Sequence, residues 1–118
     1  MRYVDGYVLP LPKKNLKKYQ KMASLGGRIW IDNGALQYFE CAGEDLQPKF
    51  GVPFPKQMRL KKGETVIFAF IVFKSRKHRD QVNVAVMKDE RMNEFMGKNM
   101  PFDPKRMVYG GFKAIVEL

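Results

Sequence analysis

The apolar run Val66 to Phe73 constrains this chain more than any other segment. Read as part of a strand from Thr65 to Phe73, it loads both faces. Val66, Phe68, Phe70 and Val72 point one way; Ile67, Ala69, Ile71 and Phe73 point the other. A bilayer-crossing helix needs about 20 apolar residues, so this run is far too short to span. A sheet wetted on one side alternates apolar with polar residues. A strand apolar on both sides therefore calls for cover on both faces.

The rest of the chain supplies neighbours for that strand. Tyr3 to Leu9 reads as a first strand, with Tyr3, Asp5, Tyr7 and Leu9 on one face and Val4, Gly6 and Val8 on the other. Pro10 and Pro12 are expected to end it. A helix follows over about Lys14 to Ile31. Its apolar stripe is Leu16, Tyr19, Met22, Ala23, Gly26, Ile29 and Trp30, with Lys14, Lys17, Lys18 and Lys21 on the wet side. Asn33-Gly34 stops it. Ala35 to Cys41 reads as a second strand. The connection from Gly43 to Gly63 is long enough to predict a short strand of its own, about Lys56 to Leu60. Ser75 caps a helix to about Lys88. Val82, Val84 and Val86 alternate as a strand would, but length and the cap favour helix. Asp89 caps a short helix with Met92, Phe95 and Met96 on its apolar side and Gly97 as its stop. Arg106 to Val116 is the last strand, with Gly110-Gly111 inside it. A glycine pair in a strand packs nothing and suggests a bulge or a close approach by another group.

The order is strand, helix, strand, strand, helix, strand. That is the ferredoxin-like βαββαβ pattern of the α+β class: one antiparallel sheet with helices on one face. One domain spanning residues 1–118 suffices. The second face of the sheet, to which Tyr3, Asp5, Tyr7 and Leu9 are assigned, then needs a cover. A second copy of the chain is the simplest one, so a homodimer is expected.

Composition removes several function classes. The single cysteine, Cys41, excludes an intramolecular disulfide and argues against a thiolate metal cluster. One histidine, His78, gives no zinc or heme constellation, so no metal and no cofactor are expected. The start of the sequence has no charged stretch followed by an apolar run, so no signal peptide is expected, and the cytoplasm is the default compartment. Gly110-Gly111 lies within a strand and does not match a nucleotide-phosphate loop. Lysine and arginine number 22 against 12 acids, a net charge of +10 that attracts polyanions.

Several segments resemble the small bacterial YbaA-like family, whose function is undetermined. They are Tyr3-Val4-Asp5-Gly6-Tyr7, Gly34-Ala35-Leu36, Glu40 to Asp45, Arg91-Met92 and, most specifically, Met100 to Phe112. The resemblance covers nearly the whole chain. It implies a ferredoxin-like subunit of the dimeric α/β barrel superfamily, in which two sheets pack face to face. That superfamily holds both enzymes and ligand binders, so the fold does not fix an activity. The tryptophan usual after the cysteine is Ala42 here, and the connection from Gln47 to Lys62 is richer in lysine and proline.

Candidate chemistry centres on polar residues predicted on apolar surfaces. Asp5 lies mid-strand between Tyr3 and Tyr7, where burial would raise its pKa toward that of a general base. The plainer reading is a structural ion pair or a tyrosine hydrogen bond. Glu40 shares parity with Leu36 and Tyr38, and convergence with Asp5 would make a carboxylate pair. The plainer reading is a cross-strand pair with Arg106 or a lysine. Arg106 suits recognition of an anion, and the Tyr109 hydroxyl can donate to an oxyanion. Their plainer roles are a salt bridge to Asp103 and an interface aromatic. Asp5, Glu40 and Tyr109 are thus the catalytic candidates; Arg106, Tyr7 and Tyr38 are the ligand-binding candidates. His78 is expected on the surface, Cys41 as a small buried residue, and the methionines as packing.

The expected function is small-molecule binding or conversion in a cleft on the sheet face of a homodimer. Two alternatives stand beside it. One is a purely structural dimer. The other is a nucleic-acid module, since RNA-recognition domains share this element order. Phe68 and Phe70 share a face and lysines are abundant, but the basic-Gly-aromatic signature is missing, so nucleic acid ranks below the barrel.

Overall fold

The computed structural model describes residues 1–95 and 97–118. Its centre is a four-stranded antiparallel sheet of β1 (Tyr3–Pro12), β2 (Gln37–Ala42), β3 (Glu64–Phe73) and β4 (Val108–Lys113), in the order β2-β3-β1-β4. The helices are α1 (Leu16–Asp32), the one-turn α2 (Phe54–Gln57) and α3 (Arg76–Lys88). The apolar run of β3 lies inside the sheet, between β1 and β2.

β1 does not end at Pro10. It pairs with β3 through Pro10↔Val66 to Pro12↔Glu64, whereas its pairing with β4 stops at Val8↔Val108. Lys13 N–H donates to the Gly63 carbonyl at 2.8 Å, so odd-numbered amides point toward β3. The missing donors of Pro10 and Pro12 thus face the side where β1 has no neighbour, the setting in which a strand tolerates proline.

The short strand expected at Lys56–Leu60 is absent; that segment begins inside α2. Pro53 and Pro55 explain the difference. They remove ladder donors, and the fixed φ of Pro55 suits a first helical turn. The last strand is also shorter than expected. Pro104–Arg106 forms a 3-10 turn capped by Asp103, so Arg106 precedes β4 instead of opening it. Ser75 caps α3 through the His78 amide, and the valine alternation there is helical. Asp89 likewise caps a 3-10 turn at Glu90–Glu94. Met96, expected on the apolar side of that turn, lies outside the described residues.

Register fixes what each face carries. Asp5, Tyr7 and Leu9 of β1 align with Ile71, Ala69 and Ile67 of β3. These residues meet α1 through Tyr19, Ala23 and Ile29, and α3 through Val82 and Val86, in the two core clusters. The Tyr3-Asp5-Tyr7-Leu9 face is therefore the helix face, not the open one as expected. Pairing moves with β3: Ile67, Ala69, Ile71 and Phe73 are buried, and a β1 residue joins the core when it sits opposite them. The open face carries Val4 and Val8 with Phe39, Phe68, Phe70, Val108 and Phe112. Phe39 stacks on Phe70 at 4.9 Å, yet Phe39, Phe68 and Phe112 remain 46%, 48% and 62% exposed. Cys41 belongs to this face and is exposed, contrary to expectation.

The glycine pair of β4 has two different neighbours. Gly110 aligns with Gly6, and the Phe112 ring lies near both. Gly111 sits under the ring of the chain's own Tyr3, where a Cβ would collide with the phenol. The close approach expected at Gly111 is thus made by Tyr3.

Candidate functional site

Glu40 is the centre of the polar arrangement on the helix face. β2 runs along the edge of the sheet and aims Tyr38 and Glu40 at α1. The Tyr19 hydroxyl donates to Glu40 Oε1 at 2.7 Å, and the Tyr38 hydroxyl donates to Oε2 at 2.6 Å. α1 reaches this position because Gly27 faces the Tyr38 ring. A Cβ at Gly27 would stand 2.7 Å from Tyr38 Cδ1. Burial, reinforced by the charge of Glu40 and the hydrogen bond to it, pushes both phenols well above the ordinary tyrosine range. Tyr7 is pushed up to about 12, first by burial and then by the charge of Asp5.

Two hollows meet at this carboxylate. An inner cavity of about 220 Å³ is lined by Tyr7, Trp30, Phe102 and Met107 together with Tyr19, Tyr38 and Glu40. An outer groove of about 560 Å³ follows α1 past Gln20, Ser24 and Arg28, and shares Tyr19, Tyr38 and Glu40 with the inner cavity. Phe102, from the segment after Gly97, walls one side of the inner cavity. Asn15 Nδ2 donates to the Pro101 carbonyl at 2.8 Å, and Phe102 meets Tyr19 edge-on at 5.8 Å. Each carboxylate oxygen accepts one phenol and keeps one further lone-pair direction. Glu40 can therefore accept a donor or a proton from a molecule in either hollow.

The sequence-predicted residues divide into two groups. Glu40, Tyr38 and Tyr7 come together around the inner cavity. Tyr109 stacks on Tyr7 at 6.0 Å but is 70% exposed. Asp5 is buried, and its partner is Arg79 of α3 at 2.7 Å. Burial raises the pKa of Asp5, and Arg79 offsets part of that rise. Arg79 also holds Asp80 at 2.7 Å and lies 4.9 Å over the Tyr3 ring. Asp5 and Glu40 thus have separate partners and do not form the expected carboxylate pair. Arg106 bonds both oxygens of Glu64, at 2.7 and 3.0 Å, and the Arg59 carbonyl at 3.0 Å. Its pairing with Glu64 replaces the expected pairs with Asp103 and Glu40. That hydrogen bond also holds the Glu64 carboxyl below its ordinary range.

Two residues escaped sequence reasoning. Tyr19 lies in the apolar stripe of α1, but its buried phenol needs a partner and finds it in Glu40. Arg79 was hidden in the basic run from Lys74. His78, expected in solvent, instead accepts the Lys74 amide through Nδ1 at 2.9 Å and is partly covered. Among the described residues no group of three or more histidines, cysteines and acids could hold a metal ion, and no helix is long and apolar enough to cross a membrane.

Comparison with known proteins places these features in a family. The chain is 38% identical over 117 residues to an uncharacterized protein, YbaA, of Escherichia coli strain K12, covering 99% of each chain. The YbaA protein of Shigella flexneri matches with the same identity and coverage. A family model described as "Protein of unknown function (DUF1428)" matches residues 2–104. Glu40, Tyr19, Tyr38 and Tyr7 of the candidate site fall within that match, and the chain belongs to the DUF1428 family, whose function is unknown.

Proposed function

We propose that this chain is a single ferredoxin-like domain that forms a cytoplasmic homodimer and binds a small molecule at Glu40. The observation that carries the binding site is a carboxylate held by two phenols where an apolar cavity meets a larger groove. Ligand sites typically combine an apolar lining with a few placed polar groups. In this reading Glu40 accepts a hydrogen bond or a proton from the ligand, while Tyr19 and Tyr38 fix its orientation. The acid–base role considered for Asp5 passes to Glu40, because Asp5 is paired with Arg79. Arg106 stands outside the site, and Tyr109 supports Tyr7 from the sheet edge.

The strand order and the βαββαβ succession support the ferredoxin-like assignment. The aromatic open face supports the dimer, since a contiguous apolar patch of this kind marks an association surface. Sedimentation or light scattering at micromolar concentration is expected to give the mass of two chains, and Phe112→Glu to give one. A monomeric parent protein overturns the dimer. For the site, a crystal structure of protein purified from its own host is expected to show a bound molecule beside Glu40. A cavity holding ordered water alone would favour a purely structural dimer.

The same open face supports a second reading. Phe39, Phe68 and Phe70 lie together on an exposed sheet surface of a chain with net charge +10, an arrangement suited to stacking bases. Salt-dependent RNA binding that is lost in Phe68→Ala would favour it. A dimer that ignores RNA at low salt removes it.

A further inference from the structure

The charge and ring content of the inner cavity narrow the chemistry of what it holds. Tyr7, Tyr19, Trp30, Tyr38 and Phe102 all line it, so five aromatic side chains surround one carboxylate. Among the described residues lining it, Glu40 is the single ionisable group besides the tyrosines, and no lysine, arginine or histidine is present. The chain as a whole has 22 lysines and arginines against 12 acids. A cavity lined without a basic group is therefore the reverse of the molecule's general character. The Trp30 indole N–H is bonded to Asn83 at 3.2 Å, so it is occupied within the protein. The tyrosines of the pair donate their hydroxyl protons to Glu40. What the cavity offers a ligand is thus mainly negative, ring faces and the unoccupied lone pairs of a carboxylate, with the Tyr7 hydroxyl as the one further polar group, able to donate or accept.

We propose that the inner cavity binds a small organic cation, an ammonium group on an apolar body, with the ammonium at Glu40. This rests on the reading of Glu40 as a ligand site. Cations are attracted to aromatic faces, more strongly when water is excluded, and an ammonium N–H can donate to the free lone pairs of Glu40. Size agrees, because an apolar cavity of about 150 Å³ already accepts a benzene-sized body. The remaining volume of the 220 Å³ cavity accommodates a short charged head.

Three probes sharing a benzyl body test the assignment: benzylamine, benzyl alcohol and phenylacetate, each titrated into the full chain by calorimetry and by NMR of the tyrosine rings. Benzylamine is expected to bind about tenfold or more tightly than benzyl alcohol, with phenylacetate weakest. Nonspecific attraction to a chain of charge +10 would give the opposite order, so the ranking is diagnostic. In Glu40→Gln the preference for benzylamine over benzyl alcohol should vanish. The ranking in the parent protein stands without that variant, should it fold poorly. If benzyl alcohol or phenylacetate binds as well as benzylamine, the cation assignment is overturned and the ligand site remains. If none of the three perturbs the cavity rings, the ligand-site reading falls with it.

Discussion

Asp5 and Glu40 show how neighbours decide what a carboxylate does. Both lie on the helix face of the sheet, but Asp5 meets a guanidinium and Glu40 meets two phenols. Removing one partner of a buried ion pair leaves a charge without compensation, at a cost of about 3–5 kcal/mol. Arg79→Ala is therefore expected to destabilise the fold by about 3 kcal/mol, the lower end, because the Arg79 side chain keeps some contact with water. Asp5→Asn in the same chain should restore part of the loss. Chemical denaturation of the single and double variants measures both, and a neutral Arg79→Ala would show that Asp5 is not held by Arg79. The pH dependence has a defined sign. A raised Asp5 pKa means the folded state holds that proton more tightly, so this contribution is present below the ordinary value of 3.8 and is lost as pH rises. The deficit of Arg79→Ala should accordingly shrink in acid. The need for a partner to Asp5 was legible in the sequence; its identity was not, because Arg79 looks like any member of a basic run.

At the scale of elements, the contact between α1 and β2 builds the site. Gly27 lets the helix approach until Tyr38 fits against it, and Glu40 then lies within reach of Tyr19. In an exposed helix, Gly→Ala gains about 1 kcal/mol. At Gly27 the added methyl would press on the root of the Tyr38 ring, which the bond to Glu40 holds in place. Overpacking costs about 1–3 kcal/mol, so Gly27→Ala should be neutral at best and up to about 2 kcal/mol less stable. Tyr38→Val in the same chain should turn the alanine into a stabilising change. A more stable Gly27→Ala single variant would mean that the ring does not lie there. The helical stripe of α1 was readable from its spacing, including Tyr19 and Gly26. Which glycine carries a close contact was not, since that depends on where β2 arrives. The prolines of β1 depend on distant neighbours in the same way: whether Pro10 ends the strand is set by which side of the strand is paired.

For the whole molecule, ion pairs and buried phenols set the pH range of stability from opposite ends. Glu64 and Asp89 are held below their ordinary values, 4.5 and 3.8, by hydrogen bonds from Arg106 and Arg91 first of all. Their contribution is present above those values and is lost as pH falls toward the folded ones. Tyr7, Tyr19 and Tyr38 are raised above the ordinary 10.0, so their contribution is present below pH 10 and is lost as pH rises. Thermal unfolding midpoints should fall on both sides, below about pH 4.5 and above about pH 10. In an absorbance titration these three phenols should ionise above pH 10 or together with unfolding. Reversible ionisation of all five tyrosines near pH 10 would mean that the cavity is open to water.

By itself the sequence determined the succession of the four sheet strands and the two long helices, an antiparallel sheet built around an apolar β3, the Ser75 and Asp89 caps, and a second apolar sheet face. These follow from periodicity and local backbone chemistry, which need no knowledge of distant neighbours. The tertiary structure alone decided which face of β1 joins the core, because that depends on register with β3 and reverses with a one-residue shift. It also decided that Asp5 meets Arg79, that Arg106 meets Glu64, and that Glu40 stands between two hollows. Each rests on contacts between residues far apart in the chain: α3 brings Arg79 to Asp5, α1 brings Tyr19 to Glu40, and the turn before β4 brings Arg106 to Glu64.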